Sequence, residues 1–274
     1  MLLYASLITD IAHYYPEWII TRLREGFFDI ERKRSVDRFN LKDNNLEKII
    51  FWSRDPLPLV KRIDELLSFG YDFEIVYMIS LYDKFYEPHI KEKHKIFTDI
   101  RKLSEIIGKN KVSLCYGPIF ETYNTDIDWH IHQFDFLCKS LSSSIGKTYT
   151  CFNISDRCLH DPHLNISALS DYDKISVINK MNEISKKYGL ILNEKPLIKN
   201  LKSDEIDVGI IDACPAGCLY CDGLSNPKSA KIKARSHISS SNTLIGKIEY
   251  SSRIREVILK KEHSKSENSP QLSF

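Results

Sequence analysis

The sequence has no excess of charge of either sign and no long apolar run. Its 274 residues include 39 Lys and Arg against 37 Asp and Glu, so the chain as a whole is not drawn to nucleic acid or to an anionic membrane. No apolar stretch approaches the roughly 20 residues that span a bilayer, and the opening "MLLYASLITD" lacks the basic segment that begins a secretory signal. We therefore expect a cytoplasmic protein without a membrane or nucleic-acid partner.

Glycine-rich nucleotide-binding motifs are also missing. Neither GxGxxG nor a P-loop follows the first apolar run. Short, almost wholly apolar runs of the kind found in parallel strands buried on both faces nevertheless recur along the chain. They are "LLYASL", "FFDI", "KIIFW", "FEIVYMIS", "VSLCYG", "YTCFNI" and "LILN". Helical patterns separate them, so we predict an α/β fold, and the missing motifs favour a complete or partial (β/α) TIM-like barrel over a doubly wound sheet.

Apolar residues spaced three and four apart predict the helices between these strands. The clearest stripe runs from Ile127 to Ile145, with Thr125 and Asp128 as its starting cap, and similar stripes cover 59–67, 96–107 and 175–188. A shorter helix is expected over 16–25.

The alternation of strands and helices ends near residue 193. We therefore predict a barrel over 1–194, an irregular segment over 195–247 that packs on it, and a C-terminal extension over 248–274. The end of this extension has the composition of a disordered tail.

Three of the seven cysteines lie within "CPAGCLYCDG", as Cys214, Cys218 and Cys221. A structural zinc site needs four ligands, and this segment lacks a second cysteine pair, so zinc would need a further ligand such as His237. An iron–sulfur cluster held by three thiolates would keep one iron open for chemistry, whereas a fourth thiolate, for example from Cys115, would close it. Cys138 lies on the apolar stripe of a predicted helix, and we expect it in the core.

The spacing C-x3-C-x2-C, with an aromatic residue before the last cysteine, resembles the cluster motif of radical S-adenosylmethionine enzymes. The resemblance implies that the three cysteines bind a 4Fe-4S cluster and that the open iron binds S-adenosylmethionine, with Tyr220 near the adenine. It also implies a 5′-deoxyadenosyl radical, an electron donor such as flavodoxin or ferredoxin, and an unidentified substrate, either a small molecule or a peptide. In that superfamily the motif follows the first barrel strand, whereas here it follows the last.

Several stretches together resemble a bacterial family, domain of unknown function 1848, whose members have such a cysteine cluster at the C-terminus. The matching stretches are "ASLITDIAHYYPEWIITRLREGF", "IIFWSRDPLPLVKRIDELLSFGYDFEIVYMIS", "KIFTDIRKLSEIIGKNKVSLCYGPI", "CPAGCLYCDG" and "SHISSSNTLIG". The chain departs from the family pattern in three places. "SLITD" stands for Ser-Arg-Arg-Thr-Asp, "CYGP" stands for Arg-Tyr-Asp-Pro, and no Cys-x-Cys pair precedes the trio. Losing that pair favours an open iron, and losing the arginines and an aspartate indicates either a different substrate or a pocket that has decayed.

Residues that follow the predicted strands complete the candidate site, because barrel enzymes place their chemistry at the C-terminal strand ends. Asp10 follows the first strand and is a catalytic candidate, or else it caps the helix near Pro16. Arg54 could bind a carboxylate or phosphate, and Asn153 could contact a cofactor.

Three further candidates are catalytic. Cys115 could donate a hydrogen atom to a substrate radical, although an inert buried thiol is the simpler interpretation, and Tyr116 lies beside it. Asp156, which matches a family aspartate, could act as a base or merely form a turn.

These features predict a radical S-adenosylmethionine-type enzyme. Two alternatives stay open: a closed iron–sulfur protein that transfers electrons, and a zinc-stapled barrel that acts as a binding protein.

Overall fold

The computed structural model describes residues 1–90, 92–248 and 253–259. Its strands are β1 (Leu2–Tyr4), β2 (Phe27–Glu31), β3 (Val36–Asn40), β4 (Lys48–Ser53), β5 (Asp72–Ile79), β6 (Val112–Tyr116), β7 (Lys147–Thr150), β8 (Leu192–Glu194), β9 (Glu205–Asp207) and β10 (Ile254–Glu256). Its helices are α1 (Ile11–Tyr14), α2 (Pro16–Glu25), α3 (Leu57–Val60), α4 (Ile63–Ser68), α5 (Lys93–Ile107), α6 (Ile127–Leu141), α7 (Asp156–Leu159), α8 (Asp171–Lys187) and α9 (Pro227–Arg235).

A seven-stranded sheet in the order β8-β7-β6-β5-β4-β1-β9 forms the centre of the molecule. Every neighbouring pair in it is parallel. The α/β class and the parallel sheet are therefore confirmed. The sheet curls into a half-barrel but does not close, since β8 and β9 remain its two edges in the part of the chain that the structure describes. The complete form of the barrel is thus not observed.

The strands read as continuously apolar because both faces of the sheet are buried. Ile49 and Phe51 of β4 join the large core under the helices, whereas Ile50 and Trp52 point to the inner face of the half-barrel. There they pack with side chains of the neighbouring strands, including Val76, Cys115 and Tyr149. The inner face thus forms a second apolar cluster beneath the C-terminal strand ends.

The helices follow the predicted stripes with three local differences. The helices predicted over 16–25 and 96–107 are confirmed as α2 and within α5. The stripe at 59–67 forms two short helices, because Arg62 leaves the helical region at φ −112° and ψ 21°. Asp126 rather than Thr125 or Asp128 caps α6, and its side chain accepts a hydrogen bond from the backbone N–H of Trp129 at 2.7 Å. In α8 the buried stripe is Val177, Met181 and Ser185, and Ile175 is exposed.

The run "FFDI" forms a strand, but its predicted place in the parallel sheet is wrong. It belongs to β2, which pairs antiparallel with β3 in a separate three-stranded sheet completed by β10. Arg38 of β3 donates two hydrogen bonds of 2.8 Å to Asp29 of β2, and Asp37 accepts from Arg32 and Arg255. Bidentate and shared carboxylate contacts of this kind hold the small sheet together.

The chain after residue 195 returns to the half-barrel. β9 adds to the free side of β1, with Leu2 opposite Glu205, and the cysteine segment follows between β9 and α9. No helix in the described ranges is both long and apolar enough to cross a bilayer. Most of the predicted C-terminal extension, including the tail from residue 260, lies outside the described residues.

Candidate functional site

The cysteine segment closes a cavity over the C-terminal ends of the parallel strands. The cavity has about 620 Å³ of empty space, part of it at the open mouth. The turns after β1, β4, β7 and β8 supply one wall, and the segment from 214 to 222 supplies the other. Strand ends of this kind are where α/β sheets and barrels bind ligands.

All three predicted ligands, Cys214, Cys218 and Cys221, line this cavity. Burial raises the pKa of each thiol, that of Cys218 to about 12. The neighbouring backbone of Asp10 and Ala216 lowers the pKa of Cys214, and that of Gly223 lowers the pKa of Cys221, so both partly offset the effect of burial. This lowering favours the thiolate form, which is the form that binds a metal. The loop therefore supplies thiols, the ligand type that iron–sulfur clusters use.

The three sulfurs do not converge on a common point. Across residues 1–90, 92–248 and 253–259, no three His, Cys, Asp or Glu side chains are grouped closely enough to hold a metal ion. His237, the predicted partner for zinc, does not line the cavity; its Nδ1 lies 2.7 Å from the Leu244 carbonyl oxygen and its ring packs on Tyr15. Binding a cluster would therefore require the cysteine side chains to turn toward one centre.

Tyr220 lies in the wall of the cavity and is fixed from two sides. Its hydroxyl donates a hydrogen bond to Glu87, and the Arg54 guanidinium lies 5.5 Å from the centre of its ring. Arg54 in turn donates to Glu87 at 2.7 Å, to Ser80 at 3.1 Å and to the Gly117 carbonyl at 3.4 Å. The predicted anion-binding guanidinium is thus already bound by groups of the protein, and its structural effect is to hold Tyr220.

Glu87 is the centre of this network. Burial by itself would raise the pKa of Glu87, but the adjacent charges of Arg54 and Lys93 hold it below its ordinary value. The carboxylate also accepts a hydrogen bond from Ser80. A buried carboxylate that is shared between two cations and two hydroxyls stays ionised.

Asp10 lines the cavity and connects two strand ends. The sequence predicts that Asp10 could cap a helix near Pro16. In the structure it caps α1 instead, because its side chain accepts a hydrogen bond from the His13 N–H at 3.1 Å. It also accepts from the Ser53 hydroxyl at 2.6 Å and from the Arg54 N–H at 2.9 Å. Burial nevertheless raises its pKa. Asn153 lines the same cavity and is exposed at its mouth.

The other three candidates do not line the cavity. Cys115 is fully buried in the same inner-face cluster as Cys151, which does line it. The Tyr116 hydroxyl is hydrogen-bonded to His130 of α6, at 2.8 Å from Nδ1. Asp156 is exposed at the start of α7.

Three functional side chains are absent from the predicted set: Glu87, Cys151 and Lys195. Counting every second residue from Tyr149 places Cys151 on the inner face, so its position could have been found. Lys195 directly follows β8, and the strand-end rule could have found it as well. Glu87 lies in the irregular stretch between β5 and α5, where the sequence gives no periodic signal.

No curated protein matches this chain. The model of one protein family, described as domain of unknown function (DUF1848), matches residues 2–195. The match covers the half-barrel through β8 and ends before the cysteine segment. It spans well over half of the 274 residues, and the chain therefore belongs to the DUF1848 family.

Proposed function

We propose that Cys214, Cys218 and Cys221 bind a 4Fe-4S cluster and that the protein is a radical S-adenosylmethionine-type enzyme acting on an unidentified substrate. The observation that carries the proposal is the position of the three thiols. All of them line one cavity at the C-terminal ends of parallel strands, and one short loop supplies them. Closely spaced thiolates of this kind are the ligands of iron–sulfur clusters.

When bound, the cluster would supply one electron to S-adenosylmethionine at its open iron, and so generate a 5′-deoxyadenosyl radical. The protein's own contribution is to prepare the surroundings. The neighbouring backbone of Asp10, Ala216 and Gly223 partly offsets the effect of burial on the pKa of Cys214 and Cys221, and Glu87 and Arg54 immobilise the Tyr220 ring. The electron would come from a donor such as flavodoxin or ferredoxin.

Cys151 supports a second candidate function. It lines the same cavity as the trio, so its thiolate could complete the ligand set and close the cluster. A closed cluster would transfer electrons without binding S-adenosylmethionine. A zinc site on the trio, with the protein acting as a binding module, is the third interpretation, and metal analysis separates it from the other two.

Anaerobic reconstitution with iron and sulfide tests the cluster. We expect a brown protein with broad absorption near ~400 nm and about four irons per chain. Cys218→Ala should lose the colour and most of the iron, because it removes a ligand. Cys138→Ala is the matched control, because this thiol lies on the buried face of α6 in the core. The variant should keep both the colour and the iron. A colourless wild-type protein with stoichiometric zinc would rule out both iron interpretations.

Dithionite and S-adenosylmethionine then test the open iron. Wild-type protein should release 5′-deoxyadenosine, and Cys151→Ser should do so at a similar rate. If only Cys151→Ser releases it, Cys151 is the fourth ligand and the closed-cluster interpretation is correct.

A further inference from the structure

We propose that the cavity contains a subsite for the carboxylate of a small-molecule ligand, formed by the indole N–H of Trp52 and the ammonium group of Lys195. The inference shares only the cavity with the proposed function, because neither residue is a cluster ligand in that proposal. It assigns a chemical class, the carboxylate, to a ligand group that would bind beside the cysteines.

Trp52 provides the first donor. Its side chain lines the cavity and is 1% exposed, yet its Nε1 has no hydrogen-bond partner among the described residues. Trp18 is equally buried, and its Nε1 donates a hydrogen bond to the Ser241 carbonyl at 2.9 Å. A buried N–H without an acceptor is costly, so native proteins rarely leave one unless a ligand or water completes it. We infer that the acceptor for this N–H comes from the cavity that the Trp52 side chain lines.

Lys195 provides the second donor and the charge. Its ammonium nitrogen lies 5.8 Å from the centre of the Trp52 ring and donates a hydrogen bond to the Leu7 carbonyl at 2.7 Å. That carbonyl is uncharged, and among the described residues no carboxylate lies within ion-pair distance of the ammonium group, although Asp207 is near enough to interact with its charge. An ammonium group has three N–H donors, which leaves it able to bind a ligand as well. Arg54, a second cation in the cavity wall, is neutralised by Glu87.

The two donors match a carboxylate better than a phosphate. A carboxylate has one negative charge and two acceptor oxygens, so one oxygen can bind the ammonium group and the other the indole N–H. A phosphate group carries about −1.5 to −2 charges at neutral pH, and one lysine would leave part of that charge unbalanced. The same cavity holds the Asp10 carboxyl, which makes a second negative charge on the ligand less favourable.

Acetate and the indole NMR signals of the metal-free protein test the subsite directly. The chain has three tryptophans, and Trp52→Phe assigns the Trp52 indole cross-peak in a ¹H–¹⁵N spectrum. Titration with sodium acetate at constant ionic strength should move this peak downfield and saturably, with half-saturation in the millimolar range. The peaks of Trp18 and Trp129 should stay in place. Lys195→Met should weaken acetate binding at least about tenfold, whereas Lys199→Met, an exposed lysine of the same segment, should not.

An unmoved Trp52 peak would overturn the proposal, and so would an equal shift with sodium phosphate or sodium chloride. If Lys195→Met does not fold, Lys195→Gln gives the same comparison. The metal-free protein is used so that the two proposals fail separately. A protein that binds acetate but never takes up iron contradicts only the cluster, and a protein that does the reverse contradicts only the subsite.

Discussion

Loss of the Glu87 carboxylate should strongly lower the free energy of unfolding. Its buried carboxylate is bound by Arg54, Lys93, Ser80 and Tyr220. Glu87→Gln would leave the two cations side by side without a counter-charge, and we expect it to lower the free energy of unfolding by about 3–5 kcal/mol in urea titrations. Glu65→Gln is the matched control, because Glu65 also binds two arginines but at the surface, and its loss should be much smaller. Equal losses would show that the buried network contributes little.

The effect of Glu87 should depend on pH with a defined sign. Its pKa in the folded protein lies below the ordinary value of 4.5, so it stabilises the folded state fully above that pH. This contribution is lost as the pH falls through the folded pKa. The stability difference between wild type and Glu87→Gln should therefore be constant near neutrality and shrink below about pH 4. A difference that grows on acidification would contradict the lowered pKa.

The strand-end rule predicted some residues of the cavity and also others, such as Tyr116, that do not line it, and residues that only the tertiary fold brings in were not predictable. Asp10 and Arg54 were found because each comes at a strand end that faces the cavity. Their roles were not predictable, because the partners of Arg54 lie in loops whose positions no sequence pattern indicates. Glu87 is 33 residues from Arg54 and 133 from Tyr220, and no local pattern encodes such contacts.

At the scale of elements, the start of α6 gives a direct test of helix capping. Asp126 accepts a hydrogen bond from the third residue beyond it, and Asp128 lies exposed in the first turn. Asp126→Ala should destabilise the protein by about 1 kcal/mol in 0.15 M salt, measured by urea unfolding. Asp128→Ala should cost less, because salt screens its interaction with the helix dipole. A larger loss of unfolding free energy for Asp128→Ala than for Asp126→Ala would support Asp128 as the cap, as the sequence alone predicted.

Long strands that are buried on both faces could be predicted from the sequence, whereas short strands could not. β4, β5 and β6 are apolar on both faces and could be identified from their runs alone. β9 is only three residues, Glu-Ile-Asp, and it forms because the side of β1 offers unpaired backbone groups. β2 has the composition of a buried strand, but its partner β3, Val-Asp-Arg-Phe-Asn, has two adjacent charged residues, and the two strands pair in another sheet.

For the whole molecule, the open sheet predicts a gradient of backbone protection. β4, β5 and β6 each have strands on both sides, whereas β8 and β9 are three-residue edge strands. In hydrogen–deuterium exchange, amides of the central strands should exchange slowest and those of β8 and β9 several orders of magnitude faster. Equal protection of the β8 and β9 amides would mean that these strands pair with another part of the chain, and therefore that the barrel closes.

The pairing of β9 with β1 also sets an order of biosynthesis. Leu2 faces Glu205, so about 200 residues must be translated before the outer side of β1 gains its neighbour. At ~5–20 residues per second, that side stays unpaired for roughly 10–40 s on the ribosome, open to chaperones and to wrong strand partners. The three thiols are made later still. One wall of the cavity can thus fold before the other is synthesised, and loading of any cofactor on the cysteines becomes the final step of the protein's maturation.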